Sequence, residues 1–352
     1  MATLTVTAYY TRKGIKYGTI ALVVFLILRF IWGVTSAYLK KIHPPPPPPP
    51  TVSFGKLPKI DFPENPPAGG PKLAFRLETI QGTVPKLETI GKVYFSVKPG
   101  ATLLSLDRVK ETAKKMGFST NPQALSSRIY RFQTNTVPPT TLDIDIITGN
   151  FKLRYDFSSD QTILTEKKLP SDDQVISEAK SFLQTTGLLA EDLSLGKAKV
   201  SYLKYQTPDL SPAISLSEAD FVKVGFSRQE QDSLPILPEN PKEGSIYFIF
   251  SGARERTKRI IEINYTYNKV DRENFATYPL KSASAAWQEL QGGNGFITNL
   301  GENTDGKITI RKIYLAYFDS PQPQNFLQPI FVFEGDRDFW AYVSAVDPKW
   351  VE

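Results

Sequence analysis

Two carboxylates, Asp143 and Asp145, stand two positions apart in the stretch TTLDIDII and are the first residues whose spacing could do chemistry. If this stretch is a β-strand, both side chains lie on one face of the sheet. Neighbouring carboxylates could bind a cation or act as general acid and base. The alternate residues Leu142, Ile144 and Ile146 would form the buried face, so we expect the two aspartates to lie on a solvated outer face.

The composition excludes several classes of catalytic and metal site. The chain has no cysteine, which removes disulfides, thiolate nucleophiles and cysteine-ligated metals. Its one histidine, His43, follows an apolar segment near the N-terminus. The rest of the chain therefore cannot form a Ser-His-Asp triad, a histidine zinc site or an imidazole acid/base. We predict a protein that is not an enzyme and that holds no metal and no cofactor.

A basic run, ARERTKR, covers Ala253–Arg259 and carries Arg254, Arg256, Lys258 and Arg259. These cations could contact an anionic wall polymer or lipid headgroups. A run of this kind is more often a charged turn between two strands, and we expect that role here.

Tyrosines recur in three predicted strands, IYRF, VSYLKY and IYLAYF. Aromatic strands could line a groove for a glycan or a peptide. Because the tyrosines occupy matching positions in the three strands, cross-strand packing in a sheet is the favoured interpretation.

The elements that position these residues begin with an apolar segment, Tyr17–Leu39 (YGTIALVVFLILRFIWGVTSAYL). As a helix it spans about 35 Å, enough for a hydrocarbon core of about 30 Å. Arg29 near its middle costs about 3 kcal/mol, and the Leu, Ile, Val and Phe residues return about 4–7 kcal/mol. We predict a transmembrane helix over residues 17–39 that follows a cytoplasmic tail, residues 1–16.

Arg29 has two interpretations within this helix. Its side chain could extend toward the headgroups with a small tilt of the helix. Alternatively, it could pair with an acidic residue in the membrane helix of a partner, in which case Gly33 and Ala37 would form a small-residue packing surface.

The orientation follows from the charges that flank the helix. Arg12, Lys13 and Lys16 precede it and Lys40 and Lys41 follow it, which predicts a cytoplasmic N-terminus and an extracytoplasmic C-terminal portion. The alternative is a cleaved signal peptide with Thr35 and Ala37 at the cleavage site, but Arg29 interrupts the required apolar core.

The net charge of +6 belongs to this N-terminal region. All six excess cations lie within residues 1–43, and the remaining chain is neutral overall. A neutral folded part does not favour nucleic-acid binding. The excess charge sets the membrane topology instead.

Seven consecutive prolines, Pro44–Pro50, follow the apolar segment. Proline cannot continue a helix or an inner strand, so this run predicts a polyproline II spacer of roughly 22 Å. A Pro-rich continuation ends at Gly70, which gives a predicted stalk over residues 40–70. A ligand for an aromatic groove of the SH3 or WW type is the alternative.

From Pro71 onward the pattern predicts one unit three times, a helix followed by three antiparallel strands. The predicted helices are Ser105–Gly117, Ser171–Gly187 and Ser282–Gly293. The strands that follow start at Arg128, Val200 and Ile308, and the hairpins are Thr140–Phe157, Ser245–Tyr267 and Pro329–Val346. The predicted fold class is α+β with antiparallel sheets, helices on one face and one N-terminal transmembrane helix. The first repeat is assigned to residues 71–170, and the second and third to residues 171–352.

These hairpins carry a resemblance to known families. FKLRYDF and FWAYVSAVDP resemble the closing strands of PepSY-type modules. The stretch from ADFVKVGF through YPLKSASAAWQEL to PIFVFEGDRDFWAYVSAVDP resembles the C-terminal part of the YycH/YycI proteins. The resemblance spans roughly Leu73–Asp347, and the polyproline run departs from that family's pattern.

The resemblance implies a membrane-anchored extracytoplasmic protein that regulates a cell-wall sensor kinase. PepSY-like modules are also associated with inhibition of proteases. We therefore expect a non-catalytic binding protein of the bacterial envelope that acts through an edge strand or a groove between repeats, with an envelope protein as partner, and no nucleic acid.

Two alternatives to regulation stay open. One is a structural or glycan-binding envelope protein without a regulated partner. The other is a wall-glycan hydrolase that uses two carboxylates from among Glu255, Glu262 and Glu334, the acids nearest the hairpins.

Overall fold

The structure is a computed structural model that describes residues 4–42, 48–63, 73–160, 162–165 and 168–352. The chain divides into two compact units, residues 1–49 and residues 50–352. Unit 1 contains one long helix, and unit 2 contains all of the described strands.

The described helices, in chain order, are α1 (Leu4–Ile42), α2 (Ser105–Lys115), α3 (Thr162–Thr165), α4 (Asp172–Thr186), α5 (Glu191–Ser194), α6 (Arg256–Arg259) and α7 (Ala283–Gln291).

The described strands, in chain order, are β1 (Ala74–Leu77), β2 (Ile90–Ser96), β3 (Gln123–Ala124), β4 (Ile129–Gln133), β5 (Thr140–Asp145), β6 (Phe151–Tyr155), β7 (Ala198–Gln206), β8 (Asp209–Pro212), β9 (Phe221–Phe226), β10 (Ile236–Pro238), β11 (Ile246–Ser251), β12 (Ile260–Tyr265), β13 (Val270–Pro279), β14 (Phe296–Asn299), β15 (Lys307–Asp319), β16 (Phe326–Leu327), β17 (Pro329–Gly335) and β18 (Trp340–Ser344).

Helix α1 is long and apolar enough to cross a membrane. Its apolar part, Ala8–Leu39, reaches a mean hydropathy of 2.2. The helix extends beyond the predicted span at both ends, so the predicted tail is helical from Leu4. Adding residues to an existing helix costs much less than nucleating one, which lets the apolar segment extend the helix into its polar flank.

The predicted stalk differs from the structure over residues 51–63. Pro44–Pro47 and residues 64–70 lie outside the described residues, but Leu57 and Ile60 are buried in unit 2. Leu57 pairs with Val351, and the ring of Phe62 stacks on that of Phe296 at 5.4 Å. Burying each of these apolar side chains stabilises the fold by roughly 1.5–3 kcal/mol, which favours a docked segment over a free one.

The largest sheet has nine strands in the order β3-β4-β5-β6-β12-β11-β9-β7-β8, and every neighbouring pair is antiparallel. Val109 and Ala113 of α2 and Val175, Ala179 and Leu183 of α4 share one buried cluster with the inner side chains of this sheet. Both helices therefore cover the same face. The strands of the first predicted repeat join those of the second through the β6–β12 pair.

The second sheet has the order β1-β15-β17-β18-β14, and β10 pairs with β15 off this path. Helix α7 packs against it through Ala283, Ala286 and Leu290. Strands β1 and β10 pair with β15 in parallel, unlike the rest of the sheet. A third sheet, β13-β2-β16, is antiparallel.

The mixed α+β class, the antiparallel sheets and the apolar N-terminal helix are confirmed. The threefold repeat stays a prediction, because the sets of strands after the three helices differ. In the nine-stranded sheet, four strands, β3-β4-β5-β6, follow α2 as a meander, and five, β7, β8, β9, β11 and β12, follow α4. The set after α7 includes β14, which pairs back onto β18.

Candidate functional site

A groove of about 840 Å³ lies on the helix-covered face of the nine-stranded sheet. It lies between the C-terminal end of α2 and the exposed side of α4, above the β6–β12 pair. Two further segments border it, the β4–β5 loop and the α6 turn. Its volume lies within the range of about 300–1,000 Å³ that is typical of ligand pockets.

The floor of the groove is apolar. Leu153 of β6, whose partner on β12 is Ile263, and Ile260 at the start of β12 form the bottom. Met116 and Phe118 follow α2, and Phe182 extends from α4. An apolar floor of this kind accommodates a hydrophobic side chain of a ligand.

The walls of the groove are rich in hydroxyl groups. On α4, Ser177, Ser181 and Thr185 are four residues apart, so they form one stripe along the helix. The β4–β5 loop adds Thr134 and Thr136, the start of β5 adds Thr140, and α6 adds Thr257. A hydroxyl both donates and accepts, so these walls can pair with the polar groups of a bound molecule.

One ion pair connects the α6 turn to α4 at the edge of the groove. Arg259 Nη2 donates to Glu178 Oε1 at 2.9 Å, and Arg259 Nε donates to Glu178 Oε2 at 3.1 Å. Burial opposes the ionisation of Glu178, but hydrogen bonds from Arg259 and Gln174 outweigh it and lower the pKa of the Glu178 carboxyl. The carboxylate therefore stays ionised at neutral pH and neutralises Arg259.

Two further cations line the groove, Lys115 at the end of α2 and Arg256 in α6. Neither forms an ion pair with another described residue, whereas Arg259 and Glu178 neutralise each other. The groove thus carries a positive charge that its own acid does not balance, and it favours an acidic ligand.

The predicted basic run divides between two roles. Arg256 and Arg259 line the groove. Lys258 instead forms an ion pair with Asp160 at 2.7 Å, and Arg254 is exposed in the turn before α6. The run therefore forms a charged connection between β11 and β12, as the sequence predicts, and part of it faces a concave surface.

Asp143 and Asp145 lie on β5, and each is paired with an arginine of β4. Arg131 contacts both oxygens of Asp143 at 2.6 Å, and Arg128 donates to Asp145 at 2.5 Å. Asp145 is buried and also accepts the backbone N–H of Ile147 at 2.7 Å, so it supports the turn that follows β5. The predicted outer face is therefore an ion-paired face rather than a fully solvated one.

The three acids considered for glycan hydrolysis lie in two different sheets. Glu255 and Glu262 belong to the β11–β12 hairpin, and Glu334 lies on β17. Tyr247 donates to Glu262 at 2.7 Å, and Lys312 pairs with Glu334 at 3.1 Å. Within the part of the chain that the structure describes, no group of three acidic or histidine residues could hold a metal ion.

Arg29, Gly33 and Ala37 are exposed on α1. Their spacing of four residues places them along one side of the helix. A Cβ added at Gly33 would meet no atom within 4 Å in this structure. The two interpretations of Arg29 both stay open.

The tyrosines of the aromatic strands pack into the sheets. Tyr130 and Tyr202 pack against the core of the nine-stranded sheet, and Tyr317 of β15 is buried in the second sheet. This packing is the role that the matching positions predict.

Sequence reasoning missed most of the groove. Glu178, Lys115 and the hydroxyl stripe of α4 were not singled out, although serine and threonine recur every four residues in this predicted helix. That spacing was the available signal, because residues four apart on a helix lie along one side of it.

Comparisons with known proteins do not identify a ligand or a role for this groove. No protein-family model matches the chain, and no curated protein matches it. Among solved structures, an uncharacterized protein from Eubacterium rectale is similar, with a TM-score of 0.36 and 12% identity over 74% of this chain and 84% of that chain. The comparisons therefore assign neither a family nor a function.

Proposed function

We propose that this chain is a single-span, membrane-anchored binding protein of the bacterial envelope that acts without catalysis. Its extracytoplasmic part binds an envelope protein through the groove between α2 and α4. Binding modulates that partner, which is a sensor kinase or a protease.

The observation that supports this proposal most is the composition of the groove. It combines an apolar floor, walls of hydroxyls and two cations, Lys115 and Arg256, without an ion pair among the described residues. Convergent polar groups around an apolar floor are the usual features of a binding site. The serines in the groove have no imidazole to activate them, because His43 is the only histidine of the chain.

The position of the groove also agrees with the expected mode of binding. It lies where the strands that follow α2 meet those that follow α4, across the β6–β12 pair. A groove between PepSY-like repeats is one of the two binding modes that the sequence resemblance suggests. The proposal includes the repeat itself, with α2 and α4 as the helices of its first two units.

Helix α1 is the proposed membrane anchor. Its apolar part has the length and composition of a membrane span. The cations Arg12, Lys13 and Lys16 precede the predicted span, residues 17–39, which favours a cytoplasmic N-terminus. The proline run would then act as a spacer between the membrane and the folded part.

The test is crosslinking in intact cells followed by affinity purification of the full-length protein. Ser181→Trp fills the groove from α4, and Gln184→Trp adds the same side chain to the same helix at an exposed position outside the groove lining. Arg29→Leu reports on the membrane helix. We expect one envelope protein to be recovered with the wild type, Gln184→Trp and Arg29→Leu, and to be lost with Ser181→Trp.

Two outcomes would contradict the proposal. Loss of the partner in Arg29→Leu alone would place the contact in the membrane helix and not in the groove. Recovery of wall polymer without any protein would replace the regulator with a structural or glycan-binding protein.

A further inference from the structure

The groove of the proposed function also has features that define the chemical class of its occupant. We infer that it binds an extended acidic peptide segment of the partner, with one bulky apolar side chain held on the groove floor. This inference rests on the proposed function and goes beyond it by naming the ligand.

The charge of the ligand follows from the ion pairs of the groove. Glu178 is the one acid among the lining residues that the structure describes, and it is held by Arg259 through two hydrogen bonds. Lys115 and Arg256 keep their charges available to a ligand. Carboxylates of a bound segment would form ion pairs with these two cations, whereas a basic ligand would be repelled.

The apolar component follows from the floor. Phe118 and Leu153 belong to the sheet core, and Met116 and Phe182 are partly buried beside them. Met116 has an unbranched thioether side chain that adapts to different shapes. A polyol phosphate polymer has no group that would displace water from this surface, so an acidic peptide with an apolar residue fits better.

The hydroxyl walls favour a peptide backbone. Thr185 Oγ1 donates its hydrogen to the backbone oxygen of Ser181 at 2.8 Å, and Thr257 Oγ1 donates to Glu255 at 2.5 Å. Each hydroxyl has one hydrogen and two lone pairs, so both oxygens remain able to accept. Acceptors along the walls match the N–H groups that an extended peptide presents.

The test uses the full chain in detergent micelles and three short fluorescent peptides. The first has a central phenylalanine flanked by aspartates, the second replaces the aspartates by asparagines, and the third replaces the phenylalanine by serine. Fluorescence anisotropy measures binding. We expect the first peptide to bind at least about tenfold more tightly than the other two, a difference of roughly 1.4 kcal/mol.

Variants connect this binding to the groove. The double variant Lys115→Glu, Arg256→Glu reverses the available charges and should weaken the first peptide about tenfold or more. The control Lys199→Glu reverses one charge on β7, where Val200 faces the helices and Lys199 therefore faces away from them. It should change the affinity less than about twofold, and Ser181→Trp should abolish binding.

Each other outcome overturns the inference. Equal binding of the asparagine peptide removes the acidic requirement, and equal binding of the serine peptide removes the apolar one. Competition by poly(glycerol phosphate) that exceeds competition by the acidic peptide identifies a polymer ligand. None of these results affects the crosslinking test with Ser181→Trp, so the groove can remain a partner site even when the ligand class is wrong.

Discussion

At the scale of single residues, Lys258 shows that a cation in a basic run can serve the fold. It forms an ion pair with Asp160, which also accepts hydrogen bonds from Tyr155 at 2.8 Å and Thr162 at 2.5 Å. These partners, with Lys258 the strongest, hold the pKa of the Asp160 carboxyl well below its usual range.

The pH dependence of stability tests this pair. A carboxyl whose pKa is depressed on folding contributes stability above its unfolded pKa of about 3.9, and this contribution is lost as the pH falls through the folded pKa. We expect Lys258→Met to lower the free energy of unfolding by about 1–3 kcal/mol at pH 7. The difference from wild type should shrink below about pH 4.

Urea denaturation between acidic and neutral pH measures this effect. Lys199→Met, an exposed lysine of β7, is the control and should show little loss at any pH. A Lys258→Met deficit that stays constant from neutral to strongly acidic pH would mean that Asp160 is not the partner responsible.

A second residue-scale prediction concerns a buried charge. Arg228 is only 3% exposed, donates to Asp192 at 2.7 Å and lies 3.4 Å from Asp319. Removing one member of a buried ionic cluster leaves the others uncompensated, so Arg228→Met should destabilise the protein by about 3–5 kcal/mol.

The matched control is Arg272→Met. Arg272 lies 3.9 Å from the same Asp192 but its side chain is 42% exposed, so its loss should cost less than about 1 kcal/mol. Equal losses in the two variants, measured by thermal or urea unfolding, would refute a special role for the buried cation.

At the scale of elements, local signals in the sequence predicted the helices well. Ser171 caps α4 by accepting the N–H of Gln174, and Gly187 ends it with a φ of 77°. The Gln174 side chain does not return to the backbone N–H of Ser171, as it would in a capping box, because it donates to Glu178 at 2.8 Å. Capping depends on adjacent residues, which is why a sequence reveals it.

Long-range pairings could not be predicted in this way. The alternation of apolar residues predicts which face of each strand is buried. It does not specify which other strand lies beside that strand. The β6–β12 pair that creates the groove floor joins residues about a hundred positions apart. For the same reason the parallel pairing of β1 with β15 and the docking of residues 51–63 were missed.

The docked segment gives an element-scale prediction. Leu57 is fully buried in the core that α7 forms with the second sheet, and Val351 packs against the same core. The sequence predicts a stalk at this position. Leu57→Ala should lower the free energy of unfolding by about 2–5 kcal/mol, as for other buried leucines.

Lys59→Ala is the control in the same segment, since Lys59 is exposed and should change stability by less than about 0.5 kcal/mol. If urea unfolding gives the same free energy for Leu57→Ala and wild type, residues 51–63 form a free stalk after all.

At the scale of the whole molecule, the absence of cysteine makes the topology directly measurable. Single cysteines at Ala8 and Lys59, both exposed positions, lie on either side of the predicted span, residues 17–39. We expect a membrane-impermeant maleimide to label Lys59→Cys in intact cells and Ala8→Cys only after lysis, because the proposed orientation places the positive flank in the cytoplasm.

Labelling of Ala8→Cys in intact cells would reverse the proposed orientation. Loss of the Ala8 position from the purified protein, detected by mass spectrometry, would instead identify α1 as a cleaved signal peptide.

The central claim is that the groove between α2 and α4 contacts a partner protein in the cell. Site-specific photocrosslinking tests it most directly, with benzoylphenylalanine placed at Ser181 in the groove or at Lys199 on the opposite face of the sheet. We expect one discrete protein adduct from position 181 and none from position 199. The same adducts from both positions, or none from position 181, would contradict it.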